Sequence, residues 1–287
     1  MTSTESRSGR SWRTPELRRA VLGRLRSWTG RWGATRRARL KLRDLVARSG
    51  PPRWQATRDD LSFRYLRGDG IEIGALYNPM RVPPGARVRY VDHAGLEELR
   101  QIYPEHDWVQ PPDVVDEGER LEKFADESLD FVIANHMLEH VEDPIEALEN
   151  FLRVLRPGGI LFLTLPDARH TFDGRRTRTT LEHLVRDHRE GPQVSRRGHY
   201  EEIARIIDCV PEEQVAARAD EIAADRARHH YHVWELETFL ELVFELGLPV
   251  DVEAAQVTEL EFAVILRRNP AKSAIRSPAP SHAQRST

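Results

Sequence analysis

From about residue 59 the chain alternates short apolar runs with helical patterns, and this alternation restricts the fold more than any other feature. Runs near 70–73, 87–91, 130–134 and 159–165 are strand-sized and bounded by turn residues. Asp143-Pro144 predicts a helix start, a capping side chain followed by proline at the first helical position. Ile145, Leu148, Leu152 and Leu155 then fall on one face, and Pro157-Gly158-Gly159 ends the pattern. A further helix is predicted over 235–246, followed by strands near 250–256 and 259–267. Strands separated by helices do not pair as tight hairpins. They form a parallel sheet with crossover helices on its faces.

Three stretches depart from the alternation. Residues 1–58 form a basic, partly helical N-terminal arm: sixteen Arg or Lys against three acids give +13, whereas the rest of the chain carries −16. Thr14-Pro15-Glu16 starts a helix on which Leu17, Val21, Leu25, Trp28 and Trp32 recur among arginines. Such a helix suits an anionic membrane face or an acidic protein, and no recognition motif accompanies it that points to nucleic acid. Residues 167–232 are His- and Arg-rich and helical in pattern, an insertion of the length used for lids and substrate-facing elements. Residues 269–287, rich in Pro, Ala and Ser, are expected to be a disordered tail, which leaves 59–268 as the folded domain. No apolar run reaches the roughly 18 residues of a membrane span, and the N-terminus lacks a signal peptide's apolar stretch. Cys209 is the single cysteine, which excludes an internal disulfide and multi-cysteine zinc clusters. A cytoplasmic protein is expected; peripheral membrane contact through the arm is one reading, and a solvated arm or a helix packed on the acidic domain is the other.

Two segments carry chemistry. In GIEIGALYNPM, residues 70–80, a strand delivers Glu72 and then Gly74 into a turn where the backbone can approach a ligand closely. Only Gly74 follows the strand, where a dinucleotide fingerprint requires G-x-G-x-x-G; this disfavours a pyrophosphate cradle and an NAD-dependent oxidoreductase. In RVRYVDHAG, residues 87–95, the strand ends in Asp92, twenty residues beyond Glu72. An acid at that position accepts hydrogen bonds from both hydroxyls of a ribose. Together the two segments favour a nucleoside-type cofactor that lacks a diphosphate.

The order EIG, YVD, VVDEGE, SLDFVIANHMLEHVEDP and LRVLRPGGILFLTLPD resembles a class I S-adenosylmethionine-dependent methyltransferase of the small-molecule type. The resemblance covers residues 68–167 and, in general layout, 233–268. It implies an α/β fold with a Rossmann-like sheet, mostly parallel with the last strand antiparallel, helices on both faces, and S-adenosylmethionine as cofactor. It assigns Glu72, Gly74 and Ala75 to the methionine end, the acid meeting the ammonium directly or through water. Asp92 would hold the ribose hydroxyls with His93 beside the adenine, and Asp116 and Glu117 would approach the adenine amine. Asn135 would lie beneath the methionine part, with His136 next to it. A cofactor bearing a sulfonium and an ammonium favours an acidic cleft of this kind.

His136-Met137-Leu138-Glu139-His140 also spells H-x-x-E-H, two histidines and a glutamate that can serve a zinc protease. A strand running directly into His136 and a new helix from Pro144 leave no room for the long helix such a site needs, so no metal is expected. Methyl transfer is an in-line displacement that requires positioning, and a base where the acceptor is a hydroxyl. His140 is the candidate base, with His136 as its neighbour and competitor; the bland alternative for His140 is packing against the sheet. From the insertion, His170, His199, His232 and Trp234 are candidate acceptor contacts, the last two at the mouth of the cleft. The run His229, His230, His232 is read as a surface cluster rather than a metal site, and Arg169, Arg175, Arg176 and Arg178 as a solvated face. The expected function is methyl transfer to a small-molecule acceptor, O-methylation of a sugar or natural product. The alternative is a non-catalytic nucleoside-binding or scaffold protein that retains the fold.

Overall fold

The structure, a computed structural model, describes residues 52–224 and 229–272. The predicted helix within 14–32, with most of the arm and tail, lies outside these residues. Seven strands are present: β1 (Asp69–Ile73), β2 (Arg87–Asp92), β3 (Val114–Val115), β4 (Leu129–Asn135), β5 (Leu155–Pro166), β6 (Val250–Val257) and β7 (Glu261–Arg268). They form one sheet in the order β3-β2-β1-β4-β5-β7-β6. Strand β1 pairs in parallel with β2 and β4, β2 with β3, and β4 with β5, while β7 runs antiparallel to both β5 and β6. This is the mostly parallel, Rossmann-like sheet with a reversed last strand that the sequence implied. The order reverses at β1 and β4, so their carboxyl ends border the crevice in which open α/β sheets bind ligands.

Both faces of the sheet are buried, which is why the central strands read as continuous apolar runs. Phe131, Ile133, Phe162, Ala263 and Ile265 face one side, where Leu61 of helix α1 (Arg53–Tyr65) and Leu66 cover them. Val132, Ala134, Leu161, Leu163, Val264 and Leu266 face the other. After β2 comes α2 (Leu96–Ile102). Helix α3 (Pro144–Val154) places Ile145, Leu148, Phe151 and Leu152 on the second face. Its start is the predicted one: Asp143 Oδ1 accepts the Ile145 and Glu146 N–H groups at 3.1 and 3.0 Å. Gly70 is required where β1 passes Phe131, because a Cβ there would lie 2.2 Å from the ring.

Three boundaries differ from expectation. The domain begins at α1 rather than at residue 59, since this helix packs on the sheet and turns Arg58 inward. Pro157-Gly158-Gly159 does not end α3, which stops at Val154; it forms an irregularity at the start of β5, where the β4 pairing shifts between Leu129 and Phe131 and Gly158 takes φ +81. Residues 269–272, assigned to the tail by composition, are held at the sheet edge by Asn269 and Lys272, both bonded to Asp251.

The insertion contains α4 (Leu181–Glu190), α5 (Gln193–Glu202), a π turn at Ile203–Ile207 and α6 (Glu212–Ala224). It has a small core of its own, Ile203, Ala204, Val215 and Ile222. The last helix, α7 (Leu236–Glu245), returns to the sheet. Among the described residues no helix is long and apolar enough to cross a membrane.

Candidate active site

Register aligns the candidate residues. Glu72 lies beside Tyr90 and Ile133, Ile73 beside Val91 and Ala134, and Asp92 beside Val115. Gly74, Asp92, Asp116 and Asn135 therefore stand in a row at the carboxyl ends of β1 to β4. Gly74 adopts φ +64, and no atom lies within 4 Å of where its Cβ would be. The left-handed turn thus leaves open space against bare backbone, which fits the close approach of a cofactor.

Asp92 is buried, its Oδ1 taking the His93 N–H at 2.9 Å and pairing with His93 Nδ1 at 2.6 Å. His93 is thereby fixed at the rim of the same strand end. The Asp116 N–H bonds the Asp92 carbonyl at 2.9 Å, while Asp116 Oδ2 accepts the Lys123 N–H at 2.8 Å. That carboxylate shapes the loop after β3, and the exposed Glu117 is the acid left at its edge. Asn135 Oδ1 accepts the Thr164 hydroxyl at 3.0 Å, which fixes the amide at the end of β4.

Glu72 is held by the protein itself. Its side chain is 1% exposed, and both oxygens take the Met80 N–H at 3.0 Å. Burial pushes its pKa up to about 7, against the Met80 bond and the charge of Arg58. Glu72 thus anchors the loop that leaves β1, and its carboxyl also meets the Asn135 side chain at the end of β4.

Beyond β4 the backbone bends at His136, which takes φ 49 and bonds Thr164 O through its N–H at 2.9 Å. Its ring sits between two carboxylates: Nε2 is 2.6 Å from Glu261 Oε2 and Nδ1 is 3.3 Å from Glu139 Oε1. Burial alone would lower the pKa of this imidazole, but Glu139 and Glu261 outweigh it and raise the value to about 9. A ring charged at neutral pH has no lone pair for an acceptor proton, so His136 is corrected from candidate base to structural cation.

Glu139 is fully buried, and neither of its oxygens has an aligned hydrogen bond. Burial opposes its charge, yet the adjoining His136, and then His140 and His230, bring its pKa down to about 2. One ligating atom each of Glu139, His140 and His230 lie within 4.8 Å of one another. The half-buried His140 has Nδ1 3.1 Å from the His229 carbonyl. A carbonyl only accepts, so this contact puts the proton on Nδ1 and makes Nε2 the basic nitrogen of the neutral ring.

The insertion histidines separate into different environments. His170 is exposed on a short 3₁₀ turn. His232 and Trp234 are 0% and 1% exposed, so neither stands at a cleft mouth; Trp234 belongs to the core beside Phe239. His199 is half-buried against His183 and His232. Burial, reinforced by neighbouring imidazoles, lowers the pKa of His199 to about 4 and that of His232 to about 3. Both are poor bases near neutral pH. Arg176 is not on a solvated face: it is buried and held by Asp173, Glu202 and the carbonyls of His230 and Tyr231.

Beside His229 and His230 opens a cavity of about 290 Å³, walled by Phe172, Ile203 and Ile207 with Arg176 and Asp208 at its polar side. A larger groove of about 480 Å³, between Arg120, Glu122, Glu146, Asn150 and Arg153, is open and polar and lies along α3, away from the strand ends. His230, which lines the smaller cavity, stands edge-on to His140 with ring centres 4.8 Å apart.

Sequence reasoning missed Arg58, counted with the arm, and Glu261, read as the start of a strand. The one available signal was a lone acid opening the otherwise apolar run Phe262 to Leu266.

Residues 74–163 match a family described as a methyltransferase domain, which spans the loop after β1 through most of β5. Residues 74–163 thus carry the sequence of a methyltransferase domain on the Rossmann-like sheet described above, and S-adenosylmethionine is the cofactor that such a domain takes. Among curated proteins, the chain is 35% identical over 89 residues to the thiol S-methyltransferase TMT1B of Homo sapiens and 36% identical over 83 residues to that of Rattus norvegicus, in each case 28% of this chain. The match spans about a third, 34%, of the length of these relatives. Among solved structures, a protein from Pyrococcus horikoshii aligns at TM-score 0.42 and 16% identity, covering 75% of this chain and 89% of that one. A SAM-dependent methyltransferase from Aquifex aeolicus aligns at TM-score 0.36 and 12% identity, covering 70% and 81%.

Proposed function

We propose that the protein methylates a hydroxyl oxygen of a small-molecule acceptor, of sugar or natural-product type, with His140 as the base. The observation that carries this reading is the His140 Nδ1 contact to the His229 carbonyl, beside a cavity that His229 and His230 line. S-adenosylmethionine supplies the electrophilic methyl group. Gly74 and Ala75 would admit it at the end of β1, Asp92 would accept from the ribose hydroxyls, His93, Asp116 and Glu117 would serve the adenine, and Glu72 would act on the methionine end directly or through water. The amide of Asn135 lies under the methionine part. His140 Nε2 takes the acceptor proton, and the ionised Glu139 beneath it stabilises the imidazolium that results. Phe172, Ile203 and Ile207 shed water from the acceptor.

A thiol acceptor is the second reading, favoured by the names of the curated relatives. A thiol near its ordinary pKa of about 8.5 ionises readily, so it depends less on a base than an alcohol does. We also propose a cytoplasmic protein whose basic arm meets an anionic surface. The test of the main reading has two arms. Calorimetry should detect S-adenosylhomocysteine and not NAD. Methyl transfer measured over hydroxylated and thiol acceptors should then favour the hydroxylated set; turnover confined to thiols gives the second reading, and cofactor binding without any turnover gives a non-catalytic protein.

A further inference from the structure

Three imidazoles from three separate elements converge under the insertion: His183 on α4, His199 on α5, and His232 on the segment that returns to the sheet. One ring nitrogen of each lies within 4.8 Å of the others. The Nε2 atoms of His183 and His199 are 3.2 Å apart, and the His232 ring centre is 5.8 and 5.3 Å from theirs. Nitrogens about 2.0–2.1 Å from one tetrahedral zinc are themselves roughly 3.3 Å apart. One pair is already at that spacing, and a nitrogen of the third lies within 4.8 Å of both.

A second observation is the state of His232. It is 0% exposed, and Nε2 lies 3.1 Å from the Glu142 carbonyl, which only accepts. Nε2 therefore carries the proton, and the buried Nδ1 has no hydrogen-bond partner. An imidazole held by one nitrogen on a backbone carbonyl, with the other nitrogen presented as a lone pair, is the arrangement that orients metal ligands. Asp187 is equally placed. It is 2% exposed, Oδ1 accepts the Ser195 hydroxyl at 2.6 Å, and Oδ2 lies 3.1 Å from His183 Nε2 without an aligned hydrogen bond. Left without an ion, this pocket holds two buried polar atoms with nothing to bond, a costly arrangement.

We propose that His183, His199 and His232 form a binding site for a divalent transition cation of the zinc class, with Asp187 or water completing the shell. Three imidazoles with a carboxylate suit zinc rather than magnesium or calcium, which take oxygen ligands. An ion there would tie α4 and α5 to the 229–234 segment. That segment bonds the Glu139 carbonyl through the Tyr231 N–H at 2.8 Å, so the ion would fix the insertion against the rim that bears His140.

The test uses the full chain, stripped with chelator and titrated with zinc chloride, and with cobalt(II) as a spectroscopic probe. One equivalent of zinc should bind, cobalt(II) should give the intense visible bands of a tetrahedral site, and saturating zinc should raise Tm by several degrees. His183→Gln and His199→Gln, both at half-buried positions, should each weaken zinc at least tenfold, while His230→Gln in the neighbouring group should keep it. A buried substitution such as His232→Gln that unfolds the chain is replaced in the comparison by these two. The proposal fails if zinc is not taken up stoichiometrically, if uptake survives both substitutions, or if it is His230→Gln that abolishes it.

Discussion

Arg58 and Glu261, 203 residues apart, form a bidentate ion pair, Nε to Oε1 at 2.8 Å and Nη2 to Oε2 at 2.5 Å, with both side chains almost excluded from water. The same carboxylate holds His136, which in turn faces Glu139, so charges alternate from helix α1 to the residue beside His140. Each charge faces one of opposite sign, which favours ionised groups in a protein interior. The pair thereby links the first helix of the domain to the residues at the end of β4.

Replacing Arg58 with Met keeps the volume and removes the charge. A buried carboxylate stripped of its partner costs about 3–5 kcal/mol; the lower end is expected, because His136 remains on Glu261. Urea unfolding measures it. A loss below about 1 kcal/mol would mean that the pair is solvated, as surface ion pairs are.

Glu72→Gln separates an anchoring role from a ligand-binding one. The folded pKa of Glu72 is raised from 4.5 to about 7, so the native state holds a proton that the unfolded chain gives up. With native protons in excess, stability falls as pH rises from about 4.5 to about 7 and stays low above it, by about 3 kcal/mol in all. Glutamine has no charge to desolvate and keeps an oxygen for the Met80 N–H. The variant should be the more stable protein at pH 8 and should lose that slope, while its affinity for S-adenosylhomocysteine changes less than threefold. A tenfold loss of affinity with unchanged stability would mean that the carboxylate meets the ammonium directly.

The limits of the sequence follow a physical line. Strand runs, the Asp143-Pro144 helix start and the acids at strand ends are local or follow from two-sided burial, and they were legible to within a few residues. What escaped depends on closure between distant segments. Arg58 belongs by composition to a basic arm, and only its contact with Glu261 makes it part of the core. His183, His199 and His232 are spread over three elements, whereas the visible histidine run at 229–232 splits between two environments. Glu72 sits at the position the resemblance gave it, but the turn that brings Met80 over it cannot be read from a strand and one glycine.

Asp92→Ala tests the cofactor end. A pair of charge-assisted bonds to ribose hydroxyls is worth about 1.5–3 kcal/mol each. Affinity for S-adenosylhomocysteine should fall at least tenfold by calorimetry while the Tm stays within a few degrees. His93 loses its partner in the same variant, so His93→Ala is the companion: a smaller loss there attributes the effect to the carboxylate. An unchanged dissociation constant in Asp92→Ala places the ribose elsewhere.

His140→Ala addresses catalysis. A positioned base contributes roughly 10²–10⁴-fold, and turnover of a hydroxylated acceptor should fall by that factor. Affinity for S-adenosylhomocysteine should barely move, because in the proposed role the ring faces the acceptor. The pH profile separates a base from a packing residue. Protonation of the base removes activity, so the wild-type rate should fall on the acid side, and the variant should lose that limb. His136 cannot replace it, since its ring is already charged with a pKa of about 9. His199 and His232, neutral with pKa values of about 4 and 3, are too weakly basic to dominate near neutrality. Glu139→Gln gives the companion measurement: with the imidazolium no longer stabilised, the acid limb should shift to higher rate at low pH while maximal turnover drops. Near-wild-type turnover and an unaltered pH profile in a folded His140→Ala protein would assign the base elsewhere, and a thiol acceptor that ionises unaided would then be the simplest chemistry left to the cavity.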